Sequence, residues 1–177
     1  MANQSLGAWE RHSYSLEALA MHAAMLQTGK VLYFSGDDSR LWDPATNQIT
    51  QPTNQPTMAG RSVFCSGHVF LSDGKLLVAG GTVLFSNPRQ GIQNTWIYDP
   101  VTNTWTEKAL MTNGRYYPTL VRAKTSAPNE EAIVMSGYKF GLPGGEWNNM
   151  VEAYNPMTDS WRVLIDQPLT PNFEWYP

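Results

Sequence analysis

Few side chains in this 177-residue sequence could take part in chemistry, because it holds one cysteine and three histidines. The single cysteine, Cys65, excludes an intrachain disulfide and a cluster of thiolate ligands, and a lone cysteine is most often a small buried hydrophobe. The imidazoles of His22 and His68 suggest a metal site. No carboxylate or cysteine cluster accompanies the two histidines, so we expect their nitrogens to bond to backbone groups.

The charge balance favours no charged partner. The formal net charge of −3 gives no electrostatic reason to expect nucleic acid or an anionic membrane as a partner. No apolar run approaches the roughly 20 residues of a membrane span, and residues 1–5 lack the pattern of a signal peptide, so the compartment is unknown. The pair Asp37-Asp38 is most simply a solvated turn, and Arg115 a structural hydrogen-bond donor.

The sequence repeats itself at a fixed interval. Three segments share an aromatic residue, Asp or Asn, and Pro-x-Thr: Trp42-Asp43-Pro44-Ala45-Thr46, Tyr98-Asp99-Pro100-Val101-Thr102 and Tyr154-Asn155-Pro156-Met157-Thr158. Each segment lies 56 positions after the one before it, and the pairs Trp105/Trp161 and Gly81/Gly137 repeat that interval. A period of roughly 50 residues with four short strands per unit is typical of the blades of a kelch-type β-propeller.

The apolar runs and turn residues predict an all-β fold, a partial kelch-type β-propeller of about three four-stranded antiparallel blades in a single unit, 1–177. The blade-like repeats cover approximately 18–57, 58–111 and 112–169, and 170–177 starts a further blade. The predicted strands are 20–26, 30–35, 39–42, 48–50, 63–71, 75–79, 94–98, 104–106, 116–122, 132–136, 150–154 and 160–163. Because a closed propeller needs about four blades or more, the ring is not closed within this chain. We expect its partners to be remaining propeller blades from a longer chain or a second subunit.

Cys65 and Tyr117 fall near the start of the innermost strands of neighbouring blades, 52 positions apart. Innermost strands run side by side around a propeller axis, so both side chains can converge on one axial mouth. Insertions at 81–93 and 137–149 and a polar loop at 123–130 are further places where function often lies. Alternatively, Cys65 is only a packed core residue, and Tyr116 and Tyr117 are structural aromatics between blades.

Two stretches go beyond a generic repeat: Phe64-Cys65-Ser66-Gly67-His68 and Met111-Thr112-Asn113-Gly114-Arg115-Tyr116-Tyr117-Pro118-Thr119. Together they resemble the copper-radical oxidases, the galactose oxidase and glyoxal oxidase family, and the resemblance covers nearly the whole chain. By position it implies that Cys65 is the cysteine joined by a thioether to a redox tyrosine. It implies that Tyr117 is that tyrosine and a ligand of the copper cofactor. The implied reaction oxidises an alcohol or aldehyde and reduces O₂ to peroxide.

Other parts of that family's site have no match in this sequence. The family takes a second tyrosine and two histidines as copper ligands from beyond this stretch, so the chain alone is expected to be inactive. Pro177 follows Tyr176 where galactose-oxidising members carry an arginine, which is more similar to glyoxal oxidases. Tyr138, Phe140 and Trp147 lie in the insertion where the family's radical-shielding indole belongs, and the sequence does not choose among them.

Two other interpretations are open. The chain could be a non-catalytic kelch-type module that binds a protein or carbohydrate partner, since one scaffold hosts many functions. It could also be a fragment without a function of its own that aggregates through open strand edges. The family resemblance suggests a secreted protein, although no signal peptide is visible.

Overall fold

The computed structural model describes residues 15–36, 38–83, 89–123, 130–139 and 146–166. Within these ranges all elements of secondary structure are β-strands. The described residues form no helix that is long and apolar enough to cross a membrane. The strands are β1 (His22–Met25), β2 (Val31–Ser35), β3 (Asp38–Asp43), β4 (Gln48–Thr50), β5 (Arg61–Ser62), β6 (Gly67–Phe70), β7 (Leu76–Ala79), β8 (Thr82–Val83), β9 (Thr95–Asp99), β10 (Thr104–Lys108), β11 (Thr119–Ala123), β12 (Glu131–Met135), β13 (Met150–Asn155) and β14 (Ser160–Asp166).

The described strands form three four-stranded antiparallel sheets. Their orders are β1-β2-β3-β4, β6-β7-β9-β10 and β11-β12-β13-β14, and the short strands β5 and β8 form a separate pair. No barrel closes within the described ranges. The prediction of an all-β fold, a partial kelch-type propeller with about three four-stranded antiparallel blades, is therefore confirmed. Each four-stranded sheet is called a blade below, numbered in chain order.

The repeated Pro-x-Thr segments are the turns between the third and fourth strands of the blades. In the second blade, Oδ1 of Asp99 accepts the N–H of Val101 at 2.8 Å. In the third blade, Oδ1 of Asn155 accepts the N–H of Met157 at the same distance. The proline after each Asp or Asn fixes φ for the turn, so the segment that reveals the repeat also connects the last two strands of each blade.

Neighbouring blades pack through apolar faces that contain a repeated tryptophan. Leu32, Phe34, Leu76 and Val78 belong to the core between the first two blades, and Leu77, Ala79, Leu120 and Val134 to the core between the second and third. The indole N–H of Trp105 donates to Oγ of Ser39 at 3.0 Å. The indole N–H of Trp161, one repeat later, donates to Oγ1 of Thr95 at 3.2 Å. Each tryptophan thus joins its own blade to the preceding one.

The innermost strands of the second and third blades begin later than the sequence predicts. Strand β6 begins at Gly67 and β11 at Thr119, four and three residues after the predicted starts. The residues before them form turns rather than strands, because Cys65 and Tyr117 both have left-handed backbones, with φ of 58° and 59°. Apolar patterning does not reveal such a conformation in residues other than glycine.

The pair β5–β8 is a further feature that the sequence did not predict. It lies beside Gly81, whose φ is 127°. A Cβ at that glycine would come within 2.1 Å of the carbonyl oxygen of Ser62. Gly81 therefore permits a close approach of two backbone segments.

The interval of 52 rather than 56 residues between Cys65 and Tyr117 has a simple structural cause. The paired residues Phe70 and Leu76 of the second blade enclose residues 71–75, whereas Arg122 and Ala132 of the third blade enclose 123–131. The connection between the first two strands is therefore four residues longer in the third blade than in the second. The second strands keep the 56-residue interval, so the first strands are only 52 residues apart. Cys65 and Tyr117 consequently occupy equivalent positions of neighbouring blades.

Several predictions fall outside the described residues. They are the further blade at 170–177, the contrast between Tyr176 and Pro177, the aromatic Phe140, Asp37 of the proposed solvated turn, and residues 84–88, 124–129 and 141–145 of the insertions and the loop.

Candidate functional site

Cys65 and Tyr117 lie side by side, each two residues before an innermost strand. Strands β6 and β11 are in contact, and the N–H of Tyr117 donates to the carbonyl oxygen of Cys65 at 3.0 Å. The shared left-handed conformation gives the two residues matching backbone geometry in adjacent blades. The structure thus brings together the two residues that the sequence singled out.

The side chains of Cys65, Tyr116 and Tyr117 form one interacting group. Tyr117 packs against the buried cluster that contains Cys65 and Tyr116, and the centres of the two tyrosine rings lie 4.3 Å apart. The thiol and the two hydroxyls interact with one another. Burial raises the pKa of the Cys65 thiol, and the hydrogen bonds from the two tyrosines partly offset this rise. Burial also raises the pKa of Tyr117, and its hydrogen bonds with Cys65 and Tyr116 raise it further. All three groups therefore hold their protons at neutral pH.

A cavity of about 240 Å³ lies against this group. It is lined by Met21, His22, Cys65, Ser66, Tyr117, Pro118 and Thr119. These residues come from the inner ends of all three blades, so the cavity lies where the innermost strands begin. Cys65 itself is 4% exposed, which leaves Tyr117 as the more accessible member of the pair.

His22 and His68 face each other across the first two blades. The His22 ring stacks on Phe34 at 4.8 Å and meets the His68 ring edge-on at 5.4 Å. The expectation that a backbone group satisfies His22 is wrong, because its buried Nε2 has no hydrogen-bond partner in the part of the chain that the structure describes. Burial lowers the pKa of His22 to about 4, and the nearby His68 lowers it as well. Burial also lowers the pKa of His68.

Arg115 acts as a structural donor in the turn that leads to Tyr117. Its guanidinium donates to the carbonyl oxygens of Ser136 and Met150 at 2.7 Å each, and to Oε2 of Glu152 at 2.8 Å. Oε1 of Glu152 accepts the N–H of Thr112 at 2.8 Å. Both charged side chains are fully buried. This network ties the turn before Tyr117 to strand β13.

Aromatic side chains form the wall behind Cys65. Tyr138 is 2% exposed, and its ring centre lies 4.0 Å from that of Trp147 at an angle of 33°. Both residues belong to the cluster that contains Cys65 and Tyr116. Tyr138 and Trp147, two of the three residues that the sequence offered for the shielding position, therefore lie together in this wall. The guanidinium of Arg89 lies over the ring of Phe64, 5.7 Å from the ring centre.

Two contributors to this region were not identified from the sequence. The proximity of the Tyr116 side chain to Cys65 and Tyr117 was missed, since adjacent residues of a strand point to opposite faces. Here, however, Tyr117 lies in a turn. Arg89 was missed because it lies in an insertion without any repeat to fix its position.

The described residues do not complete a copper site by themselves. They contain no group of three or more His, Cys, Asp or Glu side chains arranged to hold a metal ion. At the cavity the phenol of Tyr117 and the imidazole of His22 are the groups that suit copper. Further ligands would have to come from elsewhere in a longer protein or from a second subunit.

Comparison with known proteins supports the architecture. Residues 65–111 match the family model for the Kelch motif. An F-box/kelch-repeat protein of Arabidopsis thaliana is 29% identical over 107 residues, covering 60% of this chain and 21% of that protein. Kelch-like protein 23 of Homo sapiens is 27% identical over 141 residues, covering 78% of this chain and 22% of that protein.

A solved structure shares the fold at lower sequence identity. It is a fungal alcohol oxidase of the AA5 family, in complex with copper, with a TM-score of 0.56 and 20% identity. The match covers 79% of this chain and 29% of that one. This chain spans about a fifth of the length of the curated relatives that it matches. Together with the repeat and the sheets, these likenesses show that the chain is part of a kelch-type β-propeller.

Proposed function

We propose that this chain is the portion of a copper-radical oxidase-like protein that carries the thioether-forming pair Cys65 and Tyr117. The complete protein oxidises an alcohol or aldehyde with O₂ and produces peroxide, and this chain alone is inactive because it lacks the remaining copper ligands. The observation that carries the proposal is the packing of Tyr117 against the buried cluster that contains Cys65, at the inner ends of adjacent blades, together with the hydrogen bond from the Tyr117 N–H to the Cys65 carbonyl oxygen. The fold shared with the fungal copper enzyme adds support to the architecture alone.

The bond between the two residues requires a two-electron oxidation. A carbon–sulfur bond forms between Cys65 Sγ and the Tyr117 ring, while the S–H bond and one ring C–H bond break. Two protons and two electrons leave the pair, and O₂ accepts them as hydrogen peroxide. Burial of Cys65 keeps competing thiols away from the sulfur, so the neighbouring ring is its natural partner.

Mass spectrometry tests this proposal directly. The chain is incubated with Cu(II) in air and, in parallel, with a one-electron oxidant without copper, then digested with trypsin. The expected product joins peptides 62–75 and 116–122 with the loss of two hydrogens, and fragmentation places the link on Tyr117. Cys65→Ser and Tyr117→Phe are the matched controls and should give no link. Unlinked peptides in both arms would contradict the oxidase proposal.

A second candidate function is that of a non-catalytic kelch-type module. The curated relatives are described as kelch-repeat and kelch-like proteins. A polar cleft of about 460 Å³ lies between the second and third blades and is lined by Arg61, Gln90, Gln93, Asn113, Lys139 and Glu146, among others. Amide and charged groups of this kind suit a peptide or a carbohydrate. Titration calorimetry with such ligands would test it, since Arg61→Ala should weaken binding and Cys65→Ser should not.

Under either function the propeller needs further parts. The partners proposed are remaining propeller blades, from a longer chain or a second subunit, that pack on the open faces of the first and third blades. These same parts would supply the missing copper ligands under the first proposal.

A further inference from the structure

Tyr116 takes part in the Cys65–Tyr117 contact more fully than a packing residue would. We propose that Tyr116 is a positioning residue: its hydroxyl and its ring hold the Cys65 sulfur beside the Tyr117 ring. This inference deepens the proposed function, because the pair that it positions is the one proposed to be linked.

The Tyr116 backbone is fixed on both sides. Its N–H donates to the carbonyl oxygen of Tyr138 at 2.9 Å, and the N–H of Tyr138 donates back at 2.8 Å. Such a reciprocal pair holds the Cα of Tyr116 at a set distance from the neighbouring segment. The residue that follows, Tyr117, is held in turn by its bond to the carbonyl oxygen of Cys65. The three Cα atoms of the group therefore have little freedom.

The Tyr116 side chain is confined as well. It is 7% exposed, and its ring centre lies 4.3 Å from that of Tyr117 at an angle of 56°. Tyr138 and Trp147 belong to the same buried cluster. Since tyrosine has only two side-chain dihedrals, a ring packed in this way places its hydroxyl at one point.

That point lies within hydrogen-bonding reach of both reacting groups. Tyr116 shares its buried cluster with Cys65, its ring centre lies 4.3 Å from that of Tyr117, and its hydroxyl interacts with the Cys65 thiol and the Tyr117 hydroxyl. A thiol is a weak hydrogen-bonding group that rotates about its Cα–Cβ bond. A Cys65 thiol bonded only to the Tyr117 hydroxyl would move with that hydroxyl. A second bond, to the Tyr116 hydroxyl, restricts the sulfur to the region between the two rings. Restricting a nucleophile to a reactive geometry raises the rate of bond formation.

Raman spectroscopy of the S–H stretch tests the positioning contact without any metal or oxidant. Cys65 is the only cysteine, so the 177-residue chain has a single S–H band whose frequency reports hydrogen bonding of that thiol. Tyr116→Phe should shift the band toward that of a less hydrogen-bonded thiol, as Tyr117→Phe should. Tyr98→Phe is the matched control, because it removes a buried hydroxyl that bonds to Asn103, and it should leave the band in place.

The rate of thioether formation gives the second measurement. Loss of one hydrogen bond to the sulfur should slow linking in Tyr116→Phe by about three- to tenfold, whereas Tyr98→Phe should link at the wild-type rate. An unchanged S–H band and an unchanged linking rate in Tyr116→Phe would overturn the inference and leave the proposed function intact. A wild-type chain that never links, combined with a shifted band in Tyr116→Phe, would overturn the proposed function and support the positioning contact.

Discussion

Left-handed backbone at Cys65 and Tyr117 is the most specific local feature of this molecule, with φ of 58° and 59°. Residues with a Cβ adopt this conformation at a cost of roughly 1–2 kcal/mol. Such strain persists where the surrounding structure imposes it, often at sites with a function. Here it occurs at equivalent positions of two neighbouring blades, and it brings the two reactive side chains together. The sequence predicted that Cys65 and Tyr117 would lie close together. It did not predict the left-handed backbone conformation that brings them together.

Substitution of Cys65 by glycine measures this strain. Glycine adopts positive φ without penalty, so Cys65→Gly should be about 1 kcal/mol more stable than Cys65→Ala in urea denaturation. Ala24→Gly in strand β1 is the control, and it should lower the free energy of unfolding by about 0.5–1 kcal/mol because glycine is unfavourable within a strand. A Cys65→Gly variant less stable than Cys65→Ala would show that the turn is not strained.

The buried pair of Arg115 and Glu152 fixes the turn that carries Tyr116 and Tyr117. Glu152→Gln leaves a fully buried guanidinium without its counter-charge, and loss of one partner of such a pair typically costs about 3–5 kcal/mol. Glu146→Gln is a matched change in the exposed pair of Lys139 and Glu146 and should cost less than about 1 kcal/mol. Urea denaturation of both variants checks the prediction, and equal losses would mean that the buried pair does not hold the turn.

At the scale of the strands, the repeat predicted most of the architecture. Strand β4 has the predicted bounds, and each Pro-x-Thr segment forms the predicted turn, because turn residues and apolar runs act locally. The late starts of β6 and β11 could not be predicted, since the bond between Tyr117 and Cys65 forms between blades. The proposed role of Tyr116 could not be predicted for the same reason. Contacts between blades depend on packing that one repeat does not encode.

The contact between β1 and β6 should make stability depend on pH. The pKa of His22 is about 4 in the fold against 6.5 for an ordinary histidine. The unfolded chain therefore binds more protons than the folded chain between about pH 4 and 6.5. Stability is full above this window and is lost as the pH falls through it. The expected loss is roughly 1–3 kcal/mol.

Denaturation in urea at pH 7, 5.5 and 4.5 measures this loss. His22→Phe should remove much of the slope, because it replaces an imidazole whose buried Nε2 has no hydrogen-bond partner among the described residues. His68→Phe should reduce the slope as well, since protonated His22 and His68 repel each other at 5.4 Å between ring centres. A slope that is the same in wild type and His22→Phe would contradict the assignment to His22 and place its origin in other titratable groups, His68 or the carboxylates.

At the scale of the whole molecule, three blades leave two faces that a propeller normally covers. On the third blade, Leu120 and Val134 point to the second blade, so the alternating residues Val121 and Ile133 point away from it. Val121 and Ile165 are 41% and 43% exposed. An apolar sheet face of this kind invites association. It is the natural surface for a further blade, whichever chain supplies it.

Self-association of the isolated chain through this face can be measured by sedimentation velocity. Burial of a valine or isoleucine side chain contributes about 1.5–3 kcal/mol, so Val121→Lys combined with Ile165→Lys should weaken association by about tenfold or more. The matched control is Val101→Lys combined with Met157→Lys, which changes two residues that are 79% and 78% exposed in the outer turns. Because these turns lie away from the open face, the control should associate like the wild type. If both double variants associate equally, the contact lies elsewhere, and the third blade's open face is not where the ring is completed.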